Sequence, residues 1–191
     1  RQRTEMIASH FQEFCGDSSA NADEAIKQYT KDLCGGKATT KRAVEESASL
    51  SQCCKATKIK CEVVLVALRA AKLCHFSPKW LSKLSLDAIE WAAGDSTLRS
   101  ELEEASRLLL IDGIVGRYCG DAAKELFHVE NPRHAIRLVE FISYQRVVDE
   151  SILSDTLALC DAFAHLNREE ACSRIIQNRL LEGDMNTCSA V

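Results

Sequence analysis

CEVVLVALRAAKLC, residues Cys61–Cys74, is the most apolar run of the chain, and its reading decides the fold. Arg69 and Lys72 interrupt it, and it falls short of the roughly 18 apolar residues of a membrane-spanning helix. Val63, Val64, Leu65, Val66, Ala67, Leu68, Ala70 and Ala71 instead cover nearly the whole circumference of a helix from about Ala56 to His75. A helix that is apolar on all sides needs neighbours on several sides, so this one is expected at the centre of a helical protein.

Helix signals extend outward in both directions. Upstream, Gln2–Phe14 reads as a helix, Asn21 can cap ADEAIKQYTKDLC, and Thr40 opens a helix to about Lys55. Asp23 and Glu24 fall in a first turn, where the helix dipole favours acids. Downstream, Ser77-Pro78 marks a helix start, Ser85 reads as the cap of LDAIEWAA, and Gly94 as its end. Ser96 opens a longer helix closed by Gly120, with Gly113 and Gly116 as points of a kink or a close crossing, and Asp121 caps the short AAKELFHV. Asn131-Pro132 starts the next helix, whose Ala135, Leu138, Val139 and Ile142 form one apolar face with Arg133, Arg137 and Glu140 off it. Leu153, Thr156, Leu157, Cys160 and Ala164 give the following stripe. Asn167 with Glu170 resembles a capping box ahead of the last helix.

Helix starts near residues 2, 21, 40 and 57, and again near 132, 150 and 168, recur at a step of roughly 18 residues, so a hairpin takes roughly 36. The expected fold is therefore all-α: an irregular α-solenoid of antiparallel helical hairpins, with a compact helical bundle as the alternative. One helical domain over 1–191 is expected, with a possible sub-boundary near 76–95. The start RQRTEMIASH lacks an initiator Met and an apolar leader core, which suggests a piece of a longer chain that is not secreted.

Composition narrows the function classes. Only 2 Pro and 8 Gly punctuate 191 residues, too few for an all-β chain that turns every roughly 8–12 residues. A net charge of -4 gives no concentrated basic face for nucleic acid. Ten cysteines are scattered through helical patterns without a C-x-x-C pair or zinc-finger spacing, so reduced packing cysteines are expected.

No residue takes a catalytic, cofactor-binding or metal-ligating role in this reading. His128 and His134 stand six apart, not the four of a helical metal pair. Cys160 and His165 point to different sides of one helix. Cys53, Cys54 and Cys61 near Lys55, Lys58 and Lys60 would be reactive only if exposed beside those cations. The basic KATKIK and acidic ELEEAS stretches read as solvated surface, and Trp80 and Trp91 as core. Neither G-I-V-G nor C-G-G-K has phosphate-loop spacing.

The run ELFHVENPRHAIRLVEFI, with an F-x-V-x-N-P-R-H start at Phe127–His134, is followed by a D-x-L-x-L-x-D-A-x-x-H-L segment at Asp155–Leu166. Together they resemble the carboxy-terminal helical region of the Rod family of kinetochore scaffolds, over about the last 70 residues of this chain. The resemblance implies a section of a long α-solenoid in a Rod–Zw10–Zwilch-type complex, which acts in the mitotic spindle checkpoint and recruits dynein. It implies Zw10-like and Zwilch-like protein partners and a cytoplasmic chain that joins the kinetochore in mitosis; the composition and the missing motifs, taken by themselves, lead us to expect no cofactor, nucleic acid, membrane insertion or small-molecule substrate. A related subunit of an ER–Golgi vesicle tether shares the architecture and is the alternative. A cysteine-dependent enzyme is the alternative of another class; it requires an accessible thiolate beside a histidine.

Overall fold

The computed structural model describes residues 19–36, 39–120, 132–143, 150–163 and 166–182, and every regular element among them is an α-helix. The helices are α1 (Ser19–Cys34), α2 (Lys41–Ser51), α3 (Thr57–Leu73), α4 (Lys79–Trp91), α5 (Ser96–Cys119), α6 (Pro132–Ser143), α7 (Glu150–Ala162) and α8 (Arg168–Glu182). The helices expected at Gln2–Phe14 and after Asp121, and the cap at Asn131, lie outside the described residues. Contacts group the chain into two compact units, one up to Gly113 and one from Ile114 on. The sequence suggests one domain with a sub-boundary near 76–95; the contacts divide inside α5.

α3 is the central helix of the first unit. Cys61, Val63, Val64, Leu65, Ala67 and Leu68 are buried, as are Ala70 and Ala71, and α1, α2 and α4 all pack on it. α2 adds Val44 and Ala48, α4 adds Leu81 and Ala88, and α5 completes the cluster with Leu98, Leu102, Ala105 and Leu109. A second cluster of Ile26, Leu50, Cys54 and Val63 ties α1 to the α2–α3 junction. Helices in close contact here are neighbours or next-neighbours in sequence: α1 with α2 and α3, α2 with α3, and α3 with α4.

Helix ends show where local signals suffice and where they do not. Thr40 caps α2 as expected, its Oγ1 accepting the Ala43 N–H at 3.3 Å. Asp95 caps α5 by accepting the Leu98 N–H at 3.1 Å. α3 has no side-chain cap of its own at Ala56. A residue of α1 closes that end: Asp23 accepts the Lys55 N–H at 2.9 and 3.0 Å and the Ala56 N–H at 2.5 Å. Asp23 is thus not a first-turn acid serving its own helix but a buried one, 2% exposed, placed where the dipole of α3 favours a negative charge. Asn21 likewise lies inside α1 and does not cap it, because the helix starts at Ser19.

α4 runs unbroken through Ser85, where the sequence suggests a cap and a new helix. The reason is a partner beyond local reach. Ser85 is buried, donates to the Ser82 carbonyl at 2.7 Å, and meets the Ser106 hydroxyl of α5 at 2.9 Å. A serine so satisfied no longer competes with the helix backbone. Gly113 marks a close approach: a Cβ there would lie 2.9 Å from the Ser77 Oγ.

The end of α3 turns through a left-handed residue. His75 has φ 50°, its N–H donates to Lys72, and the Phe76 N–H donates to Ala71. That is the Schellman pattern, in which glycine is the usual occupant of the left-handed position. Histidine sits there with its Nδ1 3.0 Å from the buried Asp112 carboxylate, which also takes the Lys72 Nζ at 2.6 Å.

In the second unit α6, α7 and α8 pack on one another. Ala135, Leu138, Val139 and Ile142 are buried on α6, as the periodicity predicts, while Arg133 and Arg137 face water. The stripe of α7 is turned by about one position from its expected place: Ile152, Asp155, Thr156, Leu159, Cys160 and Phe163 are buried, and Leu153 and Leu157 only half-buried. The rotation follows from Asp155, which accepts from Arg117 at 2.7 Å and Tyr118 at 2.9 Å. Burial first, then the Asp155 contact, pushes the Tyr118 hydroxyl above its ordinary pKa, although a Ser151 contact pulls the other way. Asn167 caps α8 by accepting the Glu169 and Glu170 N–H groups at 2.9 and 3.2 Å. Glu170 pairs with Arg174 at 2.8 Å, so the side chain expected to complete a capping box is directed along the helix. Arg174 also reaches Glu140, and the Glu140 and Glu170 hydrogen bonds hold its guanidinium above the usual range.

Candidate functional site

The cysteines fill space between helices. Cys34, Cys54, Cys61 and Cys160 are buried, and Cys53, Cys74, Cys119 and Cys172 half-buried. Cys61 donates to the Ala88 carbonyl at 3.5 Å, and Cys34 meets the Ser47 hydroxyl at 3.2 Å. Burial pushes the Cys34, Cys61, Cys74, Cys119 and Cys160 thiols up. Cys54 is pushed up to about 12, by burial first and the neighbouring Asp23 carboxylate second. Lys60 pulls the thiol the other way, but burial outweighs it, and both lysines have other contacts: Lys58 pairs with Asp95 at 3.7 Å, and Lys60 lies 3.7 Å over the Trp91 ring. The KATKIK patch is therefore partly neutralised within the chain.

These thiols predict a pH dependence. An unfolded cysteine loses its proton near its ordinary value of 9.0, whereas folded Cys54 keeps it to about 12. The unfolded state then binds fewer protons, so the stabilising contribution is whole below pH 9 and is lost as pH rises toward 12. The expected loss from this one thiol is about 1.4 kcal/mol per pH unit across that window. Urea midpoints at stepped alkaline pH measure it, and Cys54→Ala should flatten the profile. An identical slope in that variant would assign the effect to other groups.

His128 and His165 lie outside the described residues, and His134 is half-buried on α6. Among the described residues no three His, Cys, Asp or Glu side chains gather as a metal ion needs, and no helix is long and apolar enough to cross a membrane. Trp91 packs on the core as expected. Trp80 does not: it is 42% exposed and meets the half-buried Phe76 edge-on.

The feature with binding geometry is a groove of about 330 Å³ between α3 and α5. Buried Leu68 and Ala105 contribute to its lining, and half-buried Leu108 adds apolar surface. Leu73 also lines it and is 72% exposed, the most exposed of the large apolar side chains among the described residues. Two charged contacts connect the helices here: Arg69 to Glu101 at 2.8 Å, and Lys72 to the buried Asp112. Glu104 lines the groove too, exposed to water, and among the described residues no cation pairs with it. In the second unit a smaller hollow of about 120 Å³ opens beside Ile136 and Leu166. Sequence reading missed the groove because its two sides lie more than 30 positions apart, as the Arg69–Glu101 pair shows; the available signal was Leu73, an apolar residue on the flank of Lys72.

The chain matches no family model, no curated protein and no solved structure.

Proposed function

We propose that this chain is a non-enzymatic scaffold segment of a Rod–Zw10–Zwilch-type kinetochore assembly, a stack of helical hairpins whose faces receive other protein subunits. The packing order supports the stack: in each unit, helices in close contact are neighbours or next-neighbours in sequence, the pattern of repeats that contact only adjoining repeats. The resemblance of Phe127–His134 and Asp155–Leu166 to the Rod family supports the assembly. In this reading the protein is cytoplasmic and joins the kinetochore in mitosis, its partners are Zw10-like and Zwilch-like, and its role is to hold checkpoint and dynein-recruiting components together.

Affinity purification of the full-length protein from mitotic cells tests the reading. Zw10-like and Zwilch-like subunits are the expected companions. Recovery of vesicle-fusion proteins alone would replace the kinetochore assignment with the ER–Golgi tether.

A further inference from the structure

We infer that the α3–α5 groove docks one amphipathic helix of a partner protein, which presents two apolar side chains about one turn apart and a lysine or arginine beside them. The inference names a partner class for the scaffold proposed above and rests on that reading only for the idea that its faces receive proteins. Four observations converge. Half-buried Leu108, with Leu68 and Ala105 buried beneath the groove, gives an incoming side chain carbon to pack on. Leu73 is 72% exposed beside it, in a position where a covering side chain would remove apolar surface from water. The α5 side of the groove runs from Glu101 to Leu108, about 10 Å at ~1.5 Å per residue, room for anchors separated by a single turn. The charges then select the partner. Arg69 and Lys72 are already engaged with Glu101 and Asp112, which leaves Glu104 as the acid for a partner's cation to meet. An exposed pair of that kind sets orientation and choice of partner more than affinity.

The probe is a display library of helical peptides about four turns long, randomised on one face and selected against the full chain. Enriched peptides are expected to share two apolar residues three or four apart and an adjoining lysine or arginine. Leu73→Asp should weaken them about tenfold or more, and its high exposure leaves the core intact, as circular dichroism checks. Glu104→Lys should invert the preference, so that acidic peptides replace basic ones. Leu86→Asp, 62% exposed on α4, should change nothing. No enrichment, equal binding to the Leu73→Asp chain, or a charge preference that Glu104→Lys leaves in place would overturn the inference. The two readings fail separately. Recovery of Zw10-like and Zwilch-like subunits with no peptide effect keeps the scaffold and retires the groove; the peptide effect without those subunits keeps the groove and retires the kinetochore assignment.

Discussion

Asp23→Ala is expected to destabilise the first unit by about 2 kcal/mol, because hydrogen bonds to a charged acceptor contribute about 1.5–3 kcal/mol and the start of α3 has no side-chain cap of its own to replace them. The carboxylate accepts from two successive backbone N–H groups, those of Lys55 and Ala56, and it is the means by which the start of α3 is closed. The substitution removes the acceptor and leaves an apolar methyl group facing those donors. Asp23→Asn keeps the shape but turns one acceptor into an amide that faces N–H donors, so about half the loss is expected. Urea unfolding gives the total, and hydrogen exchange at Lys55 and Ala56 localises it. Exposed Glu24, one residue on, supplies the comparison: if Glu24→Ala and Asp23→Ala unfold at the same midpoint, Asp23 does not hold the helix end.

Leu68→Ala is expected to destabilise by about 3–4 kcal/mol, within the range for emptying a well-packed leucine site. Leu68 is fully buried on a helix with α1, α2 and α4 around it. Neighbours held from several sides cannot close in on the space, so the cavity adds to the lost transfer free energy. The same change at Leu86, 62% exposed, should stay within about 0.5 kcal/mol. Amides of α3 should lose their exchange protection first. A Leu68→Ala chain as stable as Leu86→Ala would mean that α3 is not central.

The helices were legible wherever apolar spacing was strong. α3 was readable as central because apolar residues cover nearly its whole circumference, with only a narrow stripe through Glu62 and Arg69 left to water, and α6 because Ala135, Leu138, Val139 and Ile142 mark a single face. Buried polar residues were not legible. Ser85 looks like a cap until Ser106 is beside it, and the stripe of α7 turns because Asp155 has Arg117 and Tyr118 to meet. Asp23 carries the signature of a first-turn acid, and its true donors lie 32 and 33 positions on. In each case the partner comes from another helix, and a periodicity confined to one helix holds no trace of it. The groove was hidden for the same reason, since neither α3 nor α5 alone has two sides.

The left-handed His75 bears on how the protein could be engineered. Local backbone preference puts glycine first at that position, since a side chain there costs about 1–2 kcal/mol. Glycine would relieve that strain but forfeit the imidazole's contact with Asp112, a bond to a charged group that contributes about 1.5–3 kcal/mol. A stabilisation campaign ranked on torsion statistics would choose this site early and gain nothing, because the occupant of the turn is selected by a carboxylate 37 positions downstream.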